Sequence, residues 1–227
     1  MYGFPLEEKI NWEELYLPNI PLFKSRLSQK IIDRLWSYID KATIEFNHTL
    51  TGNITKSLQL HDEENYILNN ILQLPIKEMC DYKKTNFPWF KPPMSHRHEH
   101  LVLTSLWVNF QNQYEFNPLH NHSGLISFVI WMKIPTNWRD QHQLPFVKHS
   151  QAPAASDFCF TYTNILGQLQ DMPILMDKYS ENHIIVFPAS LRHQVYPFYD
   201  CTETRISISG NVTFDSEKKS IPKTVDN

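Results

Sequence analysis

No stretch of this chain holds the run of about 18 apolar residues that a membrane-spanning helix needs. An excess of basic charge is also missing. Twenty-one Lys and Arg stand against 24 Asp and Glu, for a net charge of −3, so there is no electrostatic case for nucleic acid or an anionic membrane surface. Cysteine is scarce. Cys80, Cys159 and Cys201 are odd in number, far apart and never in a CxxC pair, which predicts reduced thiols rather than a disulfide framework. The first nine residues lack a basic segment followed by an apolar one, so no signal peptide is expected, and a cytoplasmic location is. No internal repeat or low-complexity linker interrupts the chain. Four Asn-x-Ser/Thr triplets begin at Asn47, Asn53, Asn121 and Asn211. They matter only in a secreted protein, and chance explains them better.

Apolar material is plentiful. Hydrophobic residues make up 41% and aromatics 13% of 227 residues, enough for a sizeable core in one domain. Residues 1–23 read as an irregular arm rich in Pro and aromatics. From Leu27, apolar residues recur at Ile31, Leu35 and Ile39, one stripe of a helix with Ser25 or Ser28 as N-cap. A second helix is expected after His61-Asp62, with Ile67, Leu68, Ile71 and Leu72 on one side. Pro75 should break or kink it, and a further helix can run on to Lys84. The Asn86–Pro93 segment, with three prolines, reads as a boundary loop.

After Leu101 the texture changes. Leu101–Gln111, Gly124–Ile134, Asp157–Tyr162, His183–Phe187 and Thr204–Phe214 are rich in Val, Ile, Phe, Trp and Thr, as strands are. Helices in the first half and strands in the second predict an α+β fold, an antiparallel β core with helices on one face. The expected organisation is a single domain over 1–227: arm and helices to residue 100, β core over 101–215, and a tail from 216. In the last strand Arg205, Ser207, Ser209 and Asn211 alternate with Ile206 and Ile208. Either the polar face is solvated, or it lines an interior and the isoleucines lie under helices.

The chemistry concentrates in Phe116-Asn-Pro-Leu-His120-Asn-His122-Ser-Gly124. Histidines two apart share one side of an extended chain, and Ser123-Gly124 permits a tight approach there. His193 arrives 73 residues after His120, and Arg205 twelve after that. Neutral imidazoles are good ligands for iron, and an open site holding three protein ligands leaves positions for O₂ and a chelating co-substrate. Arg205 suits a carboxylate, because its planar fork accepts two oxygens and a buried guanidinium needs an anion. Ser207, on the same face, can donate a hydroxyl. His96, His98 and His100 form a second cluster, better read as an exposed lead-in to a strand. The long Thr136–Asp157 loop, with His142, Lys148 and His149, has the length of a lid.

Asn117-Pro-Leu-His-Asn-His-Ser-Gly124, Phe187–His193 and Arg205-Ile-Ser-Ile-Ser-Gly-Asn211 together resemble the Fe(II)- and 2-oxoglutarate-dependent oxygenases, particularly members common in marine bacteriophages. The likeness spans Leu101 to Phe214. It implies a double-stranded β-helix (a jelly-roll or cupin-like core) with Fe(II) at its mouth and 2-oxoglutarate as co-substrate. It also implies His120 and His193 as ligands and Arg205, helped by Ser207, as the anchor of the distal carboxylate. Asn109 either touches the co-substrate or is an inward structural asparagine. If the chain is phage-encoded, cytoplasmic means the host's cytoplasm.

One position departs from the superfamily pattern. His122 stands where Asp or Glu is usual, which keeps the facial geometry but removes a negative charge. The third ligand is therefore expected to be His122, with a carboxylate such as Asp140 or Asp157 as the alternative. Metal occupancy should fall as pH drops through the ordinary histidine range near ~6.5. The implied reaction is oxidative decarboxylation of 2-oxoglutarate to succinate and CO₂, coupled to hydroxylation of a peptidyl side chain or a small metabolite. Two rivals stay open: a non-catalytic cupin-like binding or virion-associated structural protein with a vestigial metal site, and a three-His dioxygenase that needs no 2-oxoglutarate. Oligomeric state is not legible.

Overall fold

Helix α1 (Gln29–Lys41) begins after Ser28 and turns Ile32, Leu35, Tyr38 and Ile39 inward, the stripe its four-residue spacing predicts. The computed structural model describes residues 22–78 and 101–215. The arm up to residue 21, the end of the helix expected to reach Lys84, the 86–93 loop, the His96–His98–His100 cluster, Cys80 and the tail from 216 lie outside the described residues.

The second helix, α2 (residues 66–78), is capped by the Asp62 carboxylate, which accepts from the Ile67 amide at 3.0 and 3.1 Å. It runs through Pro75 instead of ending there. Leu68–Leu72 form a wider π turn just before the proline. That turn contains the residue four back from Pro75, the carbonyl that a proline ring would otherwise strike and could not bond.

Among the described residues ten strands form two antiparallel sheets: β1 (Phe23–Arg26), β2 (Lys56–Gln59), β3 (Leu101–Gln111), β4 (Asn117–His120), β5 (Ile126–Lys133), β6 (Phe158–Thr163), β7 (Leu169–Ile174), β8 (His183–Pro188), β9 (Arg192–Val195) and β10 (Arg205–Phe214). The larger sheet has the order β1-β8-β5-β10-β3-β2, and the smaller β4-β9-β6-β7. This is the jelly-roll, double-stranded β-helix core expected, with helices on one face. Strands are not confined to the second half, however. β1 pairs with β8 and β2 with β3, so the N-terminal part closes both edges of the larger sheet. Both strands are four residues long, and a segment that short carries too little alternation to be read.

Period two decides where each side chain goes. On β5 and β8, Phe128, Ile130, Met132, Ile184 and Val186 face the helices and join Leu35, Ile39, Ile67 and Leu72 in one core. Their neighbours Val129, Trp131, Ile185 and Phe187 face the smaller sheet and pack on Phe158, Phe160 and Met176. β10 obeys the same rule. Ile208 is fully buried in the helix-side core with Ile206 packed against it, so Arg205, Ser207 and Ser209 line the space between the sheets. The polar face is the interior one.

Candidate metal centre

β4 and β9 lie side by side in the smaller sheet with His120 directly opposite His193, and β6 places Phe160 across His193 on the other side. Cross-strand partners bring their side chains into contact. The chain beyond β4 is then held in place by the His122 amide, which donates to the Ala189 carbonyl at 2.9 Å. Gly124 turns at φ +105, where a Cβ would lie 3.0 Å from the Val212 carbonyl oxygen. Glycine fits that turn because it alone adopts the conformation without cost.

The three imidazoles converge. Ring centroids stand 4.4 Å apart for His120 and His193, and 5.0 Å for each with His122. One nitrogen from each ring lies within 4.8 Å of the others, and no carboxylate is in the group among the described residues. Asp140 sits exposed on α3 (Trp138–His142), and Asp157 is engaged with His142. His120 Nδ1 donates to the Pro118 carbonyl at 2.6 Å and His193 Nδ1 to the Leu191 carbonyl at 3.0 Å. A carbonyl can only accept, so both rings carry their proton on Nδ1 and leave the Nε2 lone pair free. Nitrogens about 2.1 Å from a common ion sit roughly 3 to 4 Å apart, so these rings fit a first-row divalent metal after small rotations.

Aromatic walls surround the cluster. Phe158 stacks on His193 at 5.5 Å and Phe187 meets it edge-on at 5.0 Å, while Trp107 stands edge-on to His122 at 5.7 Å. Burial is the main force on the titrations. It lowers the His120 pKa and pushes His122 down to about 4 and His193 to about 3, with neighbouring imidazoles adding to the drop at His122 and His193. Neutral, ligand-ready imidazoles therefore persist well below the ordinary histidine range near 6.5, lower than the sequence led one to expect.

Arg205, Ser207 and Asn109 line the same cavity as the three histidines. Ser207 and Asn109 are register partners across β10 and β3. Asn109 Oδ1 accepts from the buried Ser57 hydroxyl at 2.7 Å, a structural bond that leaves its amide on the cavity wall. Arg205 is 3% exposed. Its Nη2 donates to the Ser156 carbonyl at 2.8 Å and to the Ser156 hydroxyl, and the guanidinium lies 5.1 Å from the Phe198 ring centre. Nε has no partner, and among the described residues no carboxylate forms an ion pair with the group. Burial lowers its pKa to about 10, so it stays charged at neutral pH. A buried cation with unused donors is a ready anion site.

Residues 105–211 match the family described as "Putative 2OG-Fe(II) oxygenase". The β core carries the signature of the 2-oxoglutarate–Fe(II) oxygenases. The metal and co-substrate in the family's description are those the motifs led one to expect. Among solved structures, the chain is similar to HygX from Streptomyces hygroscopicus with nickel, 2-oxoglutarate and hygromycin B bound. Identity is 9%, with 86% of this chain and 83% of that one covered at a TM-score of 0.50. It also aligns with a 2OG-Fe(II) oxygenase family oxidoreductase from Burkholderia pseudomallei (12% identity, 82% and 78% covered, TM-score 0.46). A Pseudomonas putida prolyl-4-hydroxylase gives 9%, 86% and 93%, and 0.43. At such identities the HygX likeness establishes the fold alone. No curated protein matches the sequence.

The site holds residues that sequence reasoning passed over. Trp107 walls the histidine cluster, Ser57 holds Asn109, and Ser156, itself bonded to Thr136, holds Arg205. His142, in the loop expected to form a lid, is buried and pairs with Asp157 at 3.0 Å. Among the described residues no helix is long and apolar enough to cross a membrane.

Proposed function

We propose that this chain is a 2-oxoglutarate-dependent Fe(II) dioxygenase that hydroxylates a peptidyl side chain or a small metabolite, with His120, His122 and His193 holding the metal. The observation that carries the reading is one cavity holding both three convergent imidazoles and a buried guanidinium with no ion-pair partner among the described residues. Either feature alone has an ordinary structural explanation. Together they match a metal and a dicarboxylate bound side by side.

Each side chain has a task in this reading. His120 and His193 present Nε2 because backbone carbonyls hold their Nδ1 protons. His122 completes a donor set with no formal charge. Arg205 grips the distal carboxylate of 2-oxoglutarate, and Ser207 offers it a hydroxyl. Trp107, Phe158 and Phe187 keep bulk water from the reacting centre, which strengthens the charge interactions there. When bound, iron supplies the O₂ chemistry that couples decarboxylation to C–H hydroxylation.

The test is metal content after anaerobic loading with Fe(II), followed by succinate release from 2-oxoglutarate without added substrate. One iron per chain with slow succinate release supports the proposal. Failure to bind iron would leave a non-catalytic barrel. Iron binding that does not respond to 2-oxoglutarate would point to a three-His dioxygenase without this co-substrate.

A further inference from the structure

Two buried atoms of opposite character are left without partners beside the proposed anchor. One is Arg205 Nε and the other Asp157 Oδ1. Asp157 directly follows Ser156, whose carbonyl and hydroxyl hold Arg205 Nη2. Carboxylate and guanidinium thus belong to one small buried cluster, in which a salt bridge would be the ordinary outcome. None forms.

The geometry shows what prevents it. Asp157 Oδ2 is tied to His142 Nε2 at 3.0 Å, and the backbone amide of Met176 also faces the carboxylate. His142 lies on α3, where Asn137 caps the first turn, and its ring packs edge-on against Trp138 at 5.4 Å. Ser156 is held separately. Its backbone turns at φ +75, its amide donates to the Pro197 carbonyl at 2.8 Å, and its hydroxyl meets Thr136 Oγ1 at 2.8 Å.

We propose that His142 is a positioning residue that draws the Asp157 carboxylate away from Arg205 and so keeps the guanidinium free for a carboxylate of the co-substrate. The inference rests on Arg205 being the 2-oxoglutarate anchor. A resident carboxylate on Arg205 would compete with the incoming one for the same donors, and such close buried charge pairs are strongly coupled. Freed of His142, the Asp157 carboxylate is left with the attraction of the Arg205 guanidinium, which it already feels. The lid loop would then set co-substrate affinity through a residue that never touches the co-substrate.

The experiment is calorimetric titration of 2-oxoglutarate into the full chain loaded anaerobically with Fe(II). It compares the parent with His142→Gln, Asp157→Asn, the double variant and Arg205→Ala. His142→Gln should weaken binding by about tenfold or more, on the scale of a buried charge competitor. The double variant should return to within about threefold of the parent, because Asn cannot form the inhibiting ion pair. That rescue separates positioning from mere support of the fold, since a second substitution cannot repair a collapsed lid. Parental affinity in His142→Gln, or a double variant as weak as His142→Gln, overturns the proposal. Asp157→Asn alone, which keeps the side-chain shape, decides the matter if His142→Gln does not fold. Affinity equal to or above the parent supports the inference, and a loss of about threefold or more overturns it. If Arg205→Ala binds like the parent, the anchor reading falls and takes this inference with it. If Arg205→Ala abolishes binding while His142→Gln does not change it, only this inference falls.

Discussion

Replacing Arg205 by methionine should separate binding from folding. In the parent, the guanidinium is 3% exposed and makes its hydrogen bonds through Nη2 to Ser156. Losing two such charge-assisted bonds costs roughly 1.5–3 kcal/mol each. Against that loss stands the desolvation of a cation without an ion partner, several kcal/mol in a protein interior. Methionine has similar length, fills the space over Phe198 and carries no charge to desolvate. The two contributions are of similar size, so the ligand-free protein should melt close to the parental temperature. Binding should behave in the opposite way. A carboxylate on a buried guanidinium gains charge-assisted bonds of about 1.5–3 kcal/mol each, and after ordering and desolvation about 2–4 kcal/mol remains. At 1.4 kcal/mol per tenfold, this corresponds to a loss of about thirtyfold to a thousandfold in 2-oxoglutarate affinity. Thermal melts with and without 2-oxoglutarate on metal-loaded protein read both effects. The parent should show a ligand-induced shift, and Arg205→Met should show none. A variant that unfolds several degrees earlier without ligand, yet keeps the parental shift, would refute the reasoning on both counts.

Other outcomes follow from the same site. His122→Ala should lower iron stoichiometry and end substrate-free succinate release, while His122→Asp should retain metal as a carboxylate triad. Equal iron binding and turnover in His122→Ala would make His122 a bystander. The three buried imidazoles also set a sign for pH. The unfolded chain protonates its histidines near ~6.5, whereas His122 and His193 resist until about 4 and about 3. Their contribution to stability is complete above the unfolded value and drains as pH falls toward the folded values. Melting temperature should drop steeply below about pH 6.5, and less so when His193 is replaced by Phe; a flat profile would contradict the burial argument. Burial raises the Asp157 carboxyl to about 6, so ionising it costs stability as pH rises through that value. The melting temperature of Asp157→Asn should therefore gain on the parent as pH rises from about 4 to just above 6 and stay level beyond that, and a constant difference across that range would speak against it. Gly124→Ala forces a side chain into φ +105 and against Val212. It should cost about 1–3 kcal/mol by denaturant titration, and a neutral result would show that the turn relaxes freely.

How much of this could be read in advance depended on whether the cause was local. The stripe from Ile31 to Ile39, the long strands β3, β5 and β10, and the pairing of His120 with His122 all follow from periodicities of a few residues, and those survive in any fold. The short strands β1, β2 and β9 lack the length to show a period, so only their partners reveal them. Pro75 does not break the helix, because a π turn just before it absorbs the clash that normally ends one. For β10 the alternation itself was plain from Arg205 to Asn211, but not which face was inside. Two polar faces look alike in sequence, and the choice fell to α1 and α2, which cover Ile206 and Ile208. His142 left no local trace at all. Its role depends on Asp157 fifteen residues on and Arg205 forty-eight beyond that, contacts created only when the two sheets close. The sequence by itself determined which side chains have the chemistry to meet a metal or an anion. Tertiary structure decided which of them share a cavity and which charge is kept free, because those depend on burial and on distances between strands far apart in the chain.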